Sequence, residues 1–174
     1  MANGSKPPLE IRIGEPLRAR NWMLATAESC TGGLIADRIT DIPGSSDYFA
    51  GGVVAYANEV KMGSLGVSEA ALVEYGAVSR AVVLEMARGA CKLLNAQMAV
   101  SVSGIAGPGG AVPGKPVGTT WIGLAVPDGA WARWFCWEGD RRQNKIFSAE
   151  AALQMVLNYL DGERKLDNTP SEKA

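Results

Sequence analysis

The sequence predicts an α/β fold in which a mixed sheet lies between helical layers. Short apolar runs of strand length alternate with segments of helical period through the first hundred residues. Two further apolar runs then flank Pro127-Asp128-Gly129, the pattern of a hairpin. The chain has 174 residues with no internal repeat, linker or low-complexity stretch, which suits one domain with a full core. We place that domain at 17–161, after an amino-terminal extension (1–16) that includes the start of a first helix. A polar tail, 162–174, follows, and both termini are expected to fray.

Trp22–Ala27 reads as a buried strand running into Glu28-Ser29-Cys30-Thr31-Gly32-Gly33, and a helix follows over Leu34–Thr40. The turn cluster Asp41-Ile42-Pro43-Gly44 stops it. Tyr48–Ala57, rich in β-formers, reads as a second strand ending at Asn58, and a short helix runs to Leu65. Ser68 is placed to cap another short helix to Glu74. In Ser79–Leu94 the apolar Val82, Val83, Met86, Ala90, Leu93 and Leu94 recur at helical spacing. A third strand, Met98–Ser103, leads into Gly104-Ile105-Ala106-Gly107-Pro108-Gly109-Gly110. The hairpin strands Thr119–Val126 and Ala130–Trp137 come next, and a closing helix occupies Arg141–Leu160.

Composition narrows the chemistry. Lysine and arginine total 17 against 18 acidic residues, a net charge of -1, which leaves no basic footprint for nucleic acid. No apolar run approaches the roughly 18–20 residues of a membrane helix, and the amino terminus lacks the apolar core of a signal peptide. The expected compartment is the cytoplasm. The scattered cysteines Cys30, Cys91 and Cys136 suit reduced, buried thiols. Histidine is absent, which removes Ser-His-Asp and Cys-His mechanisms and argues against a catalytic zinc site. Any base must be a carboxylate, a lysine, a tyrosine or an amino terminus.

Four segments then stand out. Ser29, at a strand end before a helix, brings its hydroxyl to amides that can hold an anion or a developing oxyanion. The plainer alternative is that Ser29 or Thr31 caps the helix, and a nucleophilic Cys30 needs a neighbour that stabilises its thiolate. Tyr56 and Lys61 flank a strand-to-helix junction and can face one cleft. A lysine acts as a base only if burial or charge lowers its pKa; otherwise it is a solvated surface group. Gly104–Gly118 is either an anion-binding turn or a surface loop. Its Gly109–Lys115 stretch mimics a phosphate-binding loop, but Pro113 interrupts it and Pro116 stands where a Ser/Thr would bind magnesium. Finally, Asp140 can cap the last helix while Arg141 or Lys145 reaches an anion; the alternative is an exposed charge run.

In order, Glu28–Gly33, Tyr56–Lys61, Gly76–Ser79, Ser103–Pro108, Lys115–Thr119 and Gly139–Arg141 resemble the CinA C-terminal (PncC-type) family, from about Leu17 to Leu160. The resemblance implies a three-layer α/β/α fold and hydrolysis of nicotinamide mononucleotide to nicotinate mononucleotide and ammonia, with no metal or cofactor. It implies Ser29 as nucleophile, Lys61 as base or proton shuttle, and Tyr56 assisting. The oxyanion or anion site would lie at Thr31, Gly32 and Gly33. The nucleotide would be held by Ser103, Gly104, Ile105, Ala106 and Gly107 with the cations Lys115, Arg141 and Lys145. The family commonly has arginine where this chain has Lys145, which keeps the charge and loses the bidentate fork. The family's separate pyrophosphatase-associated domain has no counterpart here, so no such activity is expected. Two other functions fit the residues: a catalytically silent nucleotide-binding or regulatory module, and an amidase for another small substrate. Trp131, Trp134, Phe135 and Trp137 place aromatics on both faces of one strand, which is either covered on both sides within the chain or met by a second subunit of a homo-oligomer.

Overall fold

The computed structural model describes residues 6–167. Two short helices, α1 (Leu9–Arg12) and α2 (Gly14–Ala19), precede strand β1 (Leu24–Glu28) and helix α3 (Leu34–Thr40). A single 3-10 turn, Ser45–Asp47, leads to β2 (Phe49–Val54), followed by α4 (Asn58–Leu65), α5 (Glu69–Tyr75) and α6 (Arg80–Leu94). The remaining elements are β3 (Met98–Gly104), β4 (Thr119–Val126), β5 (Gly129–Cys136) and α7 (Arg141–Leu160). The sheet order is β2-β1-β3-β4-β5, with β2, β1 and β3 parallel and β4 and β5 added antiparallel.

Parallel strands need cover on both faces, and the side-chain alternation of β1 provides for it. Leu24 faces a layer formed by Leu9, Ile13, Leu17, Ile35, Ile39 and Leu153. Ala25 and Ala27 face the other way, toward Leu65 of α4 and Val82, Met86 and Ala90 of α6. The sheet is thus sandwiched between α1, α2, α3 and α7 on one side and α4, α5 and α6 on the other. Helix ends follow local chemistry. The Ser68 and Ser79 hydroxyls cap α5 and α6, and Asp140 with Gln143 forms a capping box on α7.

The packed unit is wider than the sequence suggested. Leu9, Ile13 and Leu17 recur every fourth residue, share one helical face and are all buried, so the ordered core extends back into the expected extension. Arg38 of α3 fastens this segment by donating to Glu10 at 2.6 Å and to Glu150 of α7 at 2.7 Å. At the other end Leu166 is fully buried, and Asp167 accepts the Ala132 amide of β5 at 2.8 Å. The rest of the expected fraying, at 1–5 and 168–174, lies outside the described residues. The aromatics of β5 are half-buried within the chain. Trp131 packs against Tyr159 of α7, and Trp134 packs against a cluster that includes Val83 and Trp121.

β2 ends earlier than expected, at Val54. The Ala55 amide still reaches the Glu28 carbonyl at 2.8 Å, but the Ala55 and Tyr56 carbonyls turn toward Lys61 instead of continuing a ladder.

Candidate active site

The carboxyl ends of β1 and β3 open on a cleft of about 210 Å³, where the connections after three parallel strands converge. Open α/β sheets place ligand sites at this end of their strands. Ser29 comes from the end of β1, Lys61 from α4, Ser103 and Gly104 from β3, and Arg141 from the start of α7.

Lys61 is one turn into α4, and its side chain runs inward until it is only 1% exposed. Its Nζ donates to Ser29 Oγ at 3.1 Å, to the Ala55 carbonyl at 2.9 Å and to the Tyr56 carbonyl at 3.0 Å. Burial pushes the Lys61 pKa below its ordinary value; weaker attractions to Cys30 and Glu59 act in the opposite direction. The two carbonyls hold two of the three tetrahedral directions around the nitrogen. The third points at the Ser29 hydroxyl. A protonated Lys61 donates along that line, whereas a neutral Lys61 offers its lone pair to the Ser29 proton.

Ser29 is held from behind, its amide donating to the Val102 carbonyl of β3 at 2.9 Å. Cys30 beside it is 7% exposed, and burial pushes its thiol up to about 12, so it is a poor nucleophile near neutral pH. Thr31 is fully buried, and its hydroxyl has no partner among the described residues.

The expected anion site at the start of α3 is corrected in part. The Gly32 amide donates to the Ser29 carbonyl at 3.1 Å, and the Gly33 amide to Glu28 Oε2 at 3.0 Å. Both are therefore engaged within the protein. Between Ser29 and Gly32, the Cys30 and Thr31 amides donate to no other described residue.

The other expected residues divide into two groups. Ser103, Gly104, Ala106, Tyr56 and Arg141 line the cleft. The Ser103 hydroxyl donates to the Ala77 carbonyl at 2.7 Å. Tyr56 reaches Lys61 through its carbonyl alone; its exposed phenol sits at the rim and accepts from Arg141 Nη2 at 3.0 Å. Arg141 also donates to the Gly107 carbonyl at 2.6 Å. The Ile105 amide is engaged with the Thr119 carbonyl at 2.8 Å, and Gly107 edges a neighbouring hollow of about 400 Å³ instead of the cleft. That hollow adjoins the cleft through Ala106 and Arg141 and is also edged by Arg142. Lys115 and Lys145 line neither space. Lys115 Nζ donates to the Tyr75 carbonyl at 2.6 Å, and Lys145 Nζ lies 3.5 Å from where a Cβ on Gly32 would stand. Sequence reasoning missed Asn144, whose amide nitrogen donates to the Ala106 carbonyl at 3.0 Å while its oxygen accepts the Gly139 amide at 3.0 Å. It also missed Glu28, the last residue of β1, which lies behind the cleft next to Ser29. No group of three or more His, Cys, Asp or Glu residues suited to a metal occurs among the described residues.

The model of the CinA C-terminal domain matches residues 6–160. A CinA-like protein of Salinibacter ruber is 51% identical over 152 residues, covering 87% of this chain and 37% of that protein. The chain thus spans just over a third of the length of such relatives. The nicotinamide-nucleotide amidohydrolase PncC of Enterobacter agglomerans is 50% identical over 150 residues, which covers 86% of this chain and 92% of that protein. Among solved structures, the competence/damage inducible protein CihA of Agrobacterium tumefaciens superposes with a TM-score of 0.83 at 39% identity, covering 88% of this chain and 93% of that one. With its fold, its ordered motifs and these matches in agreement, the chain belongs to the CinA C-terminal domain family.

Proposed function

We propose that the chain hydrolyses the carboxamide of nicotinamide mononucleotide to nicotinate mononucleotide and ammonia, with Ser29 as nucleophile and Lys61 as general base. The observation that carries this reading is the buried Lys61 Nζ at 3.1 Å from Ser29 Oγ, its other two directions held by main-chain carbonyls. The likeness over nearly their full length to proteins named for this activity supports the choice of substrate.

In the first half-reaction Ser29 Oγ attacks the amide carbon as its proton passes to Lys61. The developing oxyanion is met by main-chain donors of the turn after Ser29, led by the amide of Cys30, which lines the cleft. An amide is a poor electrophile, so these donors and the covalent step divide one high barrier into two lower ones. Collapse breaks the carbon–nitrogen bond, Lys61 returns the proton to the departing nitrogen, and ammonia leaves an ester on Ser29. Water then attacks that ester, again giving a proton to Lys61; as the bond to Ser29 Oγ breaks, Lys61 returns that proton to Oγ, and the acid formed departs as its carboxylate after losing its proton to solvent. No step needs a metal or a cofactor.

Arg141, at the junction of the cleft and the neighbouring hollow, is the cation we assign to the nucleotide phosphate, together with the Gly104–Ala106 backbone. Its hydrogen bonds to Tyr56 and Gly107 hold the guanidinium across the rim. Tyr56 then assists by positioning Arg141, not by moving a proton. Ammonia release from nicotinamide mononucleotide, with nicotinamide and nicotinamide riboside as competitors, tests the reading. Strong turnover of the nucleotide with weak competition from the two phosphate-free compounds is expected. Binding of the nucleotide without ammonia release would instead make this a nucleotide-binding module.

A further inference from the structure

Glu28 is the last residue of β1, stands next to Ser29 and is 1% exposed. Its carboxylate accepts three amides from the following turn: Gly33 at 3.0 Å and Ile35 at 3.1 Å on Oε2, and Ala36 at 2.9 Å on Oε1. The first amides of a helix have no intrahelical acceptor, so one side chain satisfies the start of α3. The same contacts tie residue 28 to residue 33 across Ser29, Cys30, Thr31 and Gly32. The loop is thereby closed at its base. A left-handed Gly33, at φ 98°, makes the reversal, and the Gly32 amide braces the loop on the Ser29 carbonyl at 3.1 Å. Glu28 does not line the cleft, so it acts only through this loop.

We propose that Glu28 is a positioning residue for hydrolysis: by clamping the start of α3 it fixes Ser29 Oγ on Lys61 and keeps the Cys30 amide in place for the oxyanion. The same clamp fills the α3 amino terminus with a protein carboxylate, which directs the substrate phosphate elsewhere. This proposal rests on Ser29 being the nucleophile. The Cys30 amide and the aim of Ser29 Oγ matter most in the transition state, so loosening them lowers kcat and leaves KM nearly unchanged.

Two variants test it. Glu28→Gln keeps the side-chain length but has one acceptor oxygen, so its NH2 group faces at least one amide donor. Glu28→Asp keeps the charge and withdraws the carboxylate by about 1.5 Å, one carbon–carbon bond. Each is measured with the wild type for kcat and KM on nicotinamide mononucleotide, for thermal midpoint, and for labelling of Ser29 by a serine-reactive phosphonate read by peptide mass. Rates are expressed per labelled site, so a partly unfolded preparation still gives a value. Displacements of about 1 Å at reacting groups lower rates on the order of a hundredfold. The expected result is a fall in kcat of about 10- to 100-fold in both variants, with KM within about threefold and labelling slowed in parallel. Unchanged kcat per labelled site, with only a lower thermal midpoint, would overturn the proposal and leave Glu28 as a helix cap. If the wild type is not labelled at Ser29 and Ser29→Ala still releases ammonia at the wild-type rate, the nucleophile assignment itself fails.

Discussion

Replacing Gly89 with alanine disturbs the chemistry from a distance. Gly89 lies in α6 where that helix crosses the end of α4. A Cβ at this position would stand 1.8 Å from the Leu65 carbonyl oxygen and 2.6 Å from its carbon. Ordinary contact begins near 3.4 Å, so the added methyl must push α4 away by about 1.6 Å unless α6 yields instead. Lys61 sits one turn earlier on the same helix, and its Nζ is 3.1 Å from Ser29 Oγ. Passing most of that displacement to Nζ takes the pair beyond hydrogen-bonding range. The overpacking costs about 1–3 kcal/mol, which in a chain of this size lowers the thermal midpoint by about 3–10 °C. The misplaced base lowers kcat on the order of a hundredfold, with little change in KM.

The assay is ammonia release at saturating nicotinamide mononucleotide beside a thermal melt. Gly63→Ala is the control: it lies on α4 itself, where an added Cβ meets nothing within 4 Å. It should keep wild-type turnover and gain up to about 1 kcal/mol from helix propensity. A Gly89→Ala protein that melts earlier yet retains full kcat would refute the claim that the seating of α4 sets the base.

Four other outcomes follow from the structure. Because burial lowers the Lys61 pKa below its ordinary 10.5, kcat/KM should rise with pH and level off below that value, and Lys61→Arg should abolish the rise along with the activity. The same burial disfavours the folded state while Lys61 is charged. Between the folded-state pKa and 10.5 the unfolded chain binds more protons, so this penalty is relieved as pH rises through that window; Lys61→Met should remove it, with an unchanged or higher thermal midpoint at pH 7. Arg141→Ala should raise KM for nicotinamide mononucleotide about 10- to 100-fold, from loss of a charge-assisted hydrogen bond, while turnover of nicotinamide riboside stays as it was. Iodoacetamide should modify the exposed Cys136 first and leave Cys30 intact at pH 7.5, as peptide mapping would show; early alkylation of Cys30 would contradict its buried, raised thiol.

The sheet order aside, most elements were legible because their signals are local. Helical spacing marked α6, Ser68 and Asp140 marked the starts of α5 and α7, and Pro127-Asp128-Gly129 marked the β4–β5 hairpin. The α1–α2 segment was obscured by Pro7, Pro8 and Pro16, although Leu9, Ile13 and Leu17 carry a readable period of four. Ser29 and Lys61 were found through the family motifs and the missing histidine. The burial of Lys61 was not visible, since it depends on two carbonyls released where β2 stops. Glu28 was overlooked because a carboxylate ending an apolar strand carries no sign of which amides it meets. Of the three expected cations Arg141 lines the cleft and the two lysines do not: Lys115 has the right charge and sits in a glycine-rich stretch, but its partner is the Tyr75 carbonyl, forty residues earlier. Long-range contacts of this kind leave no mark in local spacing.

The central claim is that Ser29 and Lys61 together hydrolyse the nucleotide carboxamide. The most direct test is ammonia release from nicotinamide mononucleotide by the wild type, Ser29→Ala and Lys61→Ala, without added metal and with folding checked by circular dichroism. The wild type should release ammonia, and each folded variant should lose at least about a thousandfold in rate, as for other nucleophile–base pairs. Near-wild-type release by either folded variant would contradict that claim.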